Sequence, residues 1–149
     1  MKKVLLFSFI VLFSLMNFNS EVYAATLRAK STIIIDDAPD GKVYTTRKVW
    51  VPKGGYLGVY GQNNNSDLGY TWLIFRVYRD DGKDVTSQFW KPSSTSGEYF
   101  LNEGDKRIVN KRVGPIREGH SYYIWAKCEF RYAPIGTDCD GSFTVSSWY

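Results

Sequence analysis

The chain has 149 residues, with 19 Lys and Arg against 15 Asp and Glu, a net charge of +4, and 17% aromatic residues. That length gives one domain able to bury a core of its own, and so small and dispersed a positive charge excludes a nucleic-acid-binding face. One histidine and two cysteines also leave too few ligands for a closed zinc site of the usual nitrogen and sulfur type.

The N-terminus reads as a secretory signal. Lys2 and Lys3 precede a nearly unbroken apolar run from Val4 to Met16, and Val22-Tyr23-Ala24-Ala25 places small residues for cleavage after Ala24. The run holds 13 residues, short of the ~20 that cross a hydrocarbon core. Residues 1–24 are therefore expected to be removed and residues 25–149 to work as a secreted, extracellular domain of net charge near +3. No cysteine at the signal exit and no second apolar span predict a product without a stable membrane anchor. The plain Lys-Lys start points to a bacterial source.

Beyond Ala25 the chain shows almost no helical period. β-branched and aromatic runs are broken by Gly, Pro, Asn and Asp, which predicts strands over Leu27–Ile35, Lys42–Val51, Tyr56–Gly61, Tyr70–Arg79, Val85–Trp90, Glu98–Leu101, Arg107–Val113, Ser121–Phe130 and Ser142–Trp148. Asp81-Gly82 between two such runs marks a tight hairpin, since both residue types tolerate positive φ. About nine short strands at this spacing predict an all-β, single-domain antiparallel β-sandwich of jelly-roll or immunoglobulin-like kind.

Alternation then sorts side chains into faces. In Ser121–Arg131 the core-like parity is Tyr122, Ile124, Ala126, Cys128 and Phe130, leaving Tyr123, Trp125, Lys127, Glu129 and Arg131 opposite. In Tyr70–Arg79 the core set is Leu73, Phe75 and Val77, leaving Trp72, Arg76 and Tyr78 outward. Cys128 and Cys139, exported to an oxidising compartment, are expected to form a disulfide. Pairing their strands as a terminal hairpin would set Ile124 opposite Phe143 and Tyr122 opposite Val145. If Tyr70–Arg79 lies in the same sheet as Ser121–Arg131, Trp72, Tyr78, Tyr123 and Trp125 share one exposed face.

Reactive constellations are sparse. A triad needs a base near a nucleophile and an orienting acid; His120 adjoins Ser121 in a turn, and one His beside one Ser there is commonplace. Glu98, Glu103, Glu118 and Glu129 are available as glycosidase acids, yet no spacing selects a pair. No glycine-rich phosphate loop occurs. Asp36, Asp37 and Asp40 cluster in one loop and Asp80, Asp81 and Asp84 in another; loops at one end of a sandwich can pool such oxygens around calcium. This clustering, and nothing else in the chain, resembles the loop chemistry of calcium-dependent phospholipid-binding sandwiches of the C2 type. Asp also favours turns by bonding its own backbone, so no metal or other cofactor is assigned.

Aromatic content carries what functional signal remains. Twenty Trp, Tyr and Phe residues lie beyond Ala24, among them Trp50, Trp72, Trp90, Trp125 and Trp148, more bulk than a small sandwich encloses. The favoured reading is a non-catalytic binder of an extracellular polysaccharide or cell-wall polymer, or of an extracellular protein, through Trp72, Tyr78, Tyr123 and Trp125 with Arg76 and Lys127 as charged neighbours. Two alternatives stand beside it: a secreted inhibitor or antibacterial effector acting on a protein or membrane target, and a calcium-dependent surface-binding module. An enzyme is the less favoured class.

Overall fold

A computed structural model describes residues 25–65, 71–92, 98–101, 108–130 and 139–149. Residues 1–24, expected from the sequence to be a signal, lie outside the described residues, as do Tyr70, Glu103, Arg107 and Arg131. The domain is an all-β sandwich of two antiparallel sheets. Sheet I has the order β1 (Leu27–Ala38), β9 (Cys139–Trp148), β4 (Tyr56–Asn63), β7 (Ile108–Val113). Sheet II runs β2 (Val43–Thr45), β8 (His120–Phe130), β5 (Thr71–Arg79), β6 (Phe100–Leu101), and β3 (Val49–Val51) pairs with β8 beyond β2.

The inward parities of the two sheets meet in one core. Ile35, Leu57, Val59, Val109, Phe143 and Val145 come from sheet I; Val49, Val51, Leu73, Phe75, Val77, Leu101, Tyr122, Ile124 and Ala126 come from sheet II, all buried. The core sets read from alternation in β5 and β8 are thus buried, except that Phe130 at the end of β8 is half-buried against the core. One polar group also ties the sheets together. Asn63, buried on β4, donates from Nδ2 to the carbonyls of Thr71 (3.1 Å) and Leu101 (3.0 Å), and accepts from the Asn65 N–H. Two carbonyls of sheet II are thereby satisfied by a side chain of sheet I.

Three local expectations are corrected. Lys42–Val51 is two strands, not one, because Thr46 turns inward between them. Its backbone N–H donates to the Ile124 carbonyl at 2.9 Å, and its hydroxyl accepts the Ile124 N–H at 2.9 Å. A side chain therefore replaces one rung of the ladder with β8, and the edge bends there. Val85–Trp90 is not a strand. After the Asp81-Gly82 turn, Asp84 bridges back to Tyr78, and its carboxylate accepts the Thr86 N–H at 2.8 Å. The Thr86 hydroxyl meanwhile takes the Val77 N–H at 2.8 Å. These bonds wind Thr86–Gln88 into a 3₁₀ turn that drops Val85 and Phe89 into the core.

The third correction concerns the disulfide. Cys128 and Cys139 are joined, with Cα atoms 5.9 Å apart, but β8 and β9 are not a hairpin. They belong to opposite sheets, and the bond crosses the core. β9 instead takes β1 and β4 as neighbours, with Phe143 opposite Ile33 and Gly61 and Val145 opposite Ser31 and Val59.

Candidate functional site

β5 and β8 are neighbours, so the condition placed on the aromatic face is met. Their register sets Tyr78 opposite Tyr123, Arg76 opposite Trp125, Ile74 opposite Lys127 and Trp72 opposite Glu129. All six residues singled out from the sequence therefore stand on the outer face of sheet II, each half-buried. From the Tyr78 rung to the Trp72 rung the ladder extends about 20 Å along the strands.

The rings hold one another in place. Tyr78 and Tyr123 stack with centroids 5.6 Å apart and planes inclined by 30°. Trp72 stacks on Phe100 of β6 at 4.4 Å, nearly parallel at 5°. Ile74 also faces outward, yet it is only 4% exposed between Phe100 and Lys127 in the register. The Lys48 ammonium sits 5.8 Å from the centre of the Tyr123 ring, and the Arg76 guanidinium lies 4.7 Å from that of Tyr99. Aromatic pairs fixed in this way lose little rotamer freedom when a ligand covers them.

The two charged residues singled out from the sequence, Arg76 and Lys127, are each paired within this face. Arg76 Nε is 3.6 Å from Asp84 Oδ2, and Lys127 Nζ is 3.5 Å from Glu129 Oε2. What remains is an aromatic surface with polar tips and one cation over Tyr123, Lys48, which pairs with no acid among the described residues.

Trp50 belongs to the same face and was not singled out. It pairs with Ser121 on β3 and, at 57% exposed, is the most open of the five tryptophans. Its ring lies against Gly119, where a Cβ would fall 2.6 Å from Trp50 Cζ2. The signal was present: Val49 and Val51 are the inward residues of that run, so Trp50 had to point out. Phe100, which supports Trp72, comes from a two-residue strand with no alternation to read.

His120 lies elsewhere, at the end of the sandwich, beside a cleft of about 460 Å³ that Arg79, Lys83, Arg117, Glu118 and Tyr122 also line. Its Nδ1 is 3.1 Å from Asp80 Oδ1, while Asp80 Oδ2 accepts the Ser121 N–H at 3.2 Å. Successive strand residues point to opposite faces, so Ser121 is turned away from His120 and no Ser–His pair forms. The Ser121 N–H, helped by the His120 ring, outweighs partial desolvation and holds the Asp80 carboxyl below the usual carboxylate range. Burial pushes the Tyr122 phenol up.

A lowered folded pKa stabilises the fold above the ordinary carboxylate pKa of about 4, and the contribution is lost as pH falls through the folded value. Asp80→Asn is accordingly expected to melt slightly below wild type at neutral pH, with the gap closing below about pH 4. Thermal melts across pH 2–7 check this; a gap that persists at the acid end would contradict it.

The six aspartates do not converge, and Asp36 and Asp37 lie within β1 rather than in a loop. Asp40 Oδ1 accepts the Phe130 N–H at 3.0 Å, at the opposite end of β8 from Asp80 and Ser121. Asp81 is engaged by Arg79, whose guanidinium holds its carboxyl far below the usual range, and Asp84 accepts the Thr86 N–H at the start of the 3₁₀ turn. Asp36 and Asp37 instead meet Asp140 of β9, with oxygens within 4.8 Å of one another. A site pooled from both loops is thus excluded by their placement.

No protein-family model matches the chain, and no curated protein matches it.

Proposed function

We propose that the protein is an exported, non-catalytic binder that holds an uncharged glycan segment of an envelope or wall polymer against the outer face of sheet II. The observation that carries this reading is the aligned ladder of Trp72, Tyr78, Tyr123 and Trp125, braced by Phe100 and continued by Trp50. Flat apolar rings with polar tips suit the hydrophobic faces and hydroxyl rims of sugars. Internal pairing of Arg76 and Lys127 favours a neutral ligand over an acidic one, because an acidic chain would have to displace Asp84 and Glu129. The elongated shape suits a linear polymer lying along the strands. The Cys128–Cys139 bond is compatible with export to an oxidising compartment.

Titration of tryptophan emission with soluble uncharged polysaccharides tests the reading. Saturable quenching is expected, and Trp125→Ala should weaken it about ten-fold or more if that ring is a central anchor. Gly119→Ala, which displaces the Trp50 ring at little cost to the fold, should weaken it less. Unchanged emission across neutral wall and plant polymers, or full binding by Trp125→Ala, would refute it.

A further inference from the structure

The outer face of sheet I differs in kind from that of sheet II. Among the described residues, four of the exposed large apolar side chains, Leu27, Ile34, Tyr60 and Ile108, stand on it, and Ile34 is 75% exposed. The register places Leu27, Ile34 and Ile108 at its margin and Tyr60 on the inner strand β4. Leu27 pairs with Trp148 in the first row, while Ile34 on β1 and Ile108 on β7 occupy the two outer strands of the last. Between these rows lies Lys30–Ser146–Gly58–Arg112, one residue from each strand across the whole sheet.

That row forms a shallow saucer of about 220 Å³, lined among others by Lys30, Tyr60, Lys111, Arg112, Ser146 and Trp148. Lys30 and Arg112 border it from this face and no carboxylate does; neither pairs with an acid among the described residues, while Lys111 stands on the opposite parity, paired with the inward Val59. The guanidinium is held in place. Arg112 Cζ lies 3.8 Å from the centre of the Trp148 ring, Trp148 Nε1 donates to Ser146 Oγ at 2.8 Å, and Ser146 Oγ donates to the Gly58 carbonyl at 3.3 Å. Gly58 makes room for this, since a Cβ there would fall 2.4 Å from Ser146 Oγ and 2.8 Å from Trp148 Nε1. A guanidinium held over an indole face keeps N–H donors of its planar fork for an oxyanion.

We propose that this face docks on an anionic phospholipid surface, with a lipid phosphate seated between Lys30 and Arg112. Exposed aliphatic side chains, Trp and Tyr at the same level, and unpaired Lys and Arg are the chemistry of a protein lying in the headgroup region. An acidic polysaccharide would satisfy the cations but leave Leu27, Ile34 and Ile108 in water. The acidic trio Asp36, Asp37 and Asp140 lies past the Ile34 row, so the Leu27–Lys30–Arg112 end makes the closest approach. Docking this way leaves the opposite, sugar-facing sheet open, and the two proposals stand or fall separately.

The test is co-sedimentation of the purified protein with phosphatidylglycerol-containing vesicles and with pure phosphatidylcholine vesicles, in EDTA so that no cation bridges the acidic trio. Binding to the anionic vesicles alone, weakened by salt, is expected. Lys30→Gln should lower affinity roughly five-fold and the Lys30→Gln, Arg112→Gln pair about 30-fold, while Leu27→Ser weakens binding and Trp125→Ala does not. Both cations are exposed, so Lys30→Gln should melt as wild type does, and the double change should melt within a few degrees of it, the loss of the Arg112–Trp148 contact included. Absence of binding to anionic vesicles, or binding indifferent to Lys30→Gln and to the double change, overturns the proposal. So does a melting shift with millimolar inorganic phosphate, or binding to polygalacturonate, without vesicle binding.

Discussion

Truncating Phe143 to alanine lowers the unfolding free energy by about 3–5 kcal/mol, a large part of the roughly 5–15 kcal/mol that holds a domain of this kind together. Phe143 of β9 and Phe75 of β5 are fully buried and meet across the sandwich, ring centroids 5.3 Å apart and planes inclined by 33°. They are the largest fully enclosed side chains of the two sheets. Gly61 beside them shows how tightly the space is used: a Cβ there would fall 2.4 Å from the Phe143 ring. With a neighbouring strand so close, the cavity left by Phe143→Ala has little freedom to collapse, which places the cost toward the upper end. Phe75→Ala should cost a similar amount. The double variant should fall short of additivity by about 0.5–1.5 kcal/mol, the share belonging to the ring pair itself. Urea unfolding followed by tryptophan emission measures all three. A cost below about 1 kcal/mol for either single change would mean that the two rings do not form the centre of the core.

Replacing Cys128 and Cys139 together by alanine costs about 3 kcal/mol on the chain-entropy account, given their separation of 11 residues. In a domain of this size that corresponds to a melting temperature lower by about 10 °C. The bond joins the last strand of sheet I to the central strand of sheet II, and both sulfurs lie in the core. Its loss therefore frees the two sheets relative to each other as well as lengthening an open loop. Calorimetry of the double variant and of the reduced wild-type protein should give the same shift. If reduction leaves the melting temperature unchanged, the cross-sheet bond contributes nothing to the fold. Variants with both cysteines intact but Asn63→Ala provide a contrast, because Asn63 ties the same sheets by hydrogen bonds to Thr71 and Leu101.

How much of this was legible in the chain varies by element. The faces of β5 and β8 were readable because each has enough alternating residues for parity to be unambiguous. Tyr122, Ile124, Ala126 and Cys128 point inward as read, and so do Leu73, Phe75 and Val77. The candidate aromatic face followed from the same reading once the two strands proved adjacent. Phe100 escaped it, because its contribution depends on which strand lies beside Trp72. Thr46 and the Asp84–Thr86 turn escaped it too: a hydroxyl or carboxylate that satisfies backbone groups competes with the ladder, and β-rich composition does not record that competition. The basic, apolar-edged face of sheet I gave no signal at all, since Lys30, Gly58, Arg112 and Ser146 lie on four strands far apart in the chain.

Composition and alternation alone determined an all-β domain, its inward and outward side chains, and two cysteines on core parities. They did so because burial acts locally, on one strand at a time, through the two-residue period of the pleat. Which strands adjoin was settled only by the tertiary structure. Two inward-facing cysteines are satisfied equally by neighbours in one sheet or by strands facing each other across a sandwich, since both arrangements bury the same parity. The choice between hairpin and cross-sheet bond, and with it the composition of both outer faces, rests on long-range packing that no local pattern encodes.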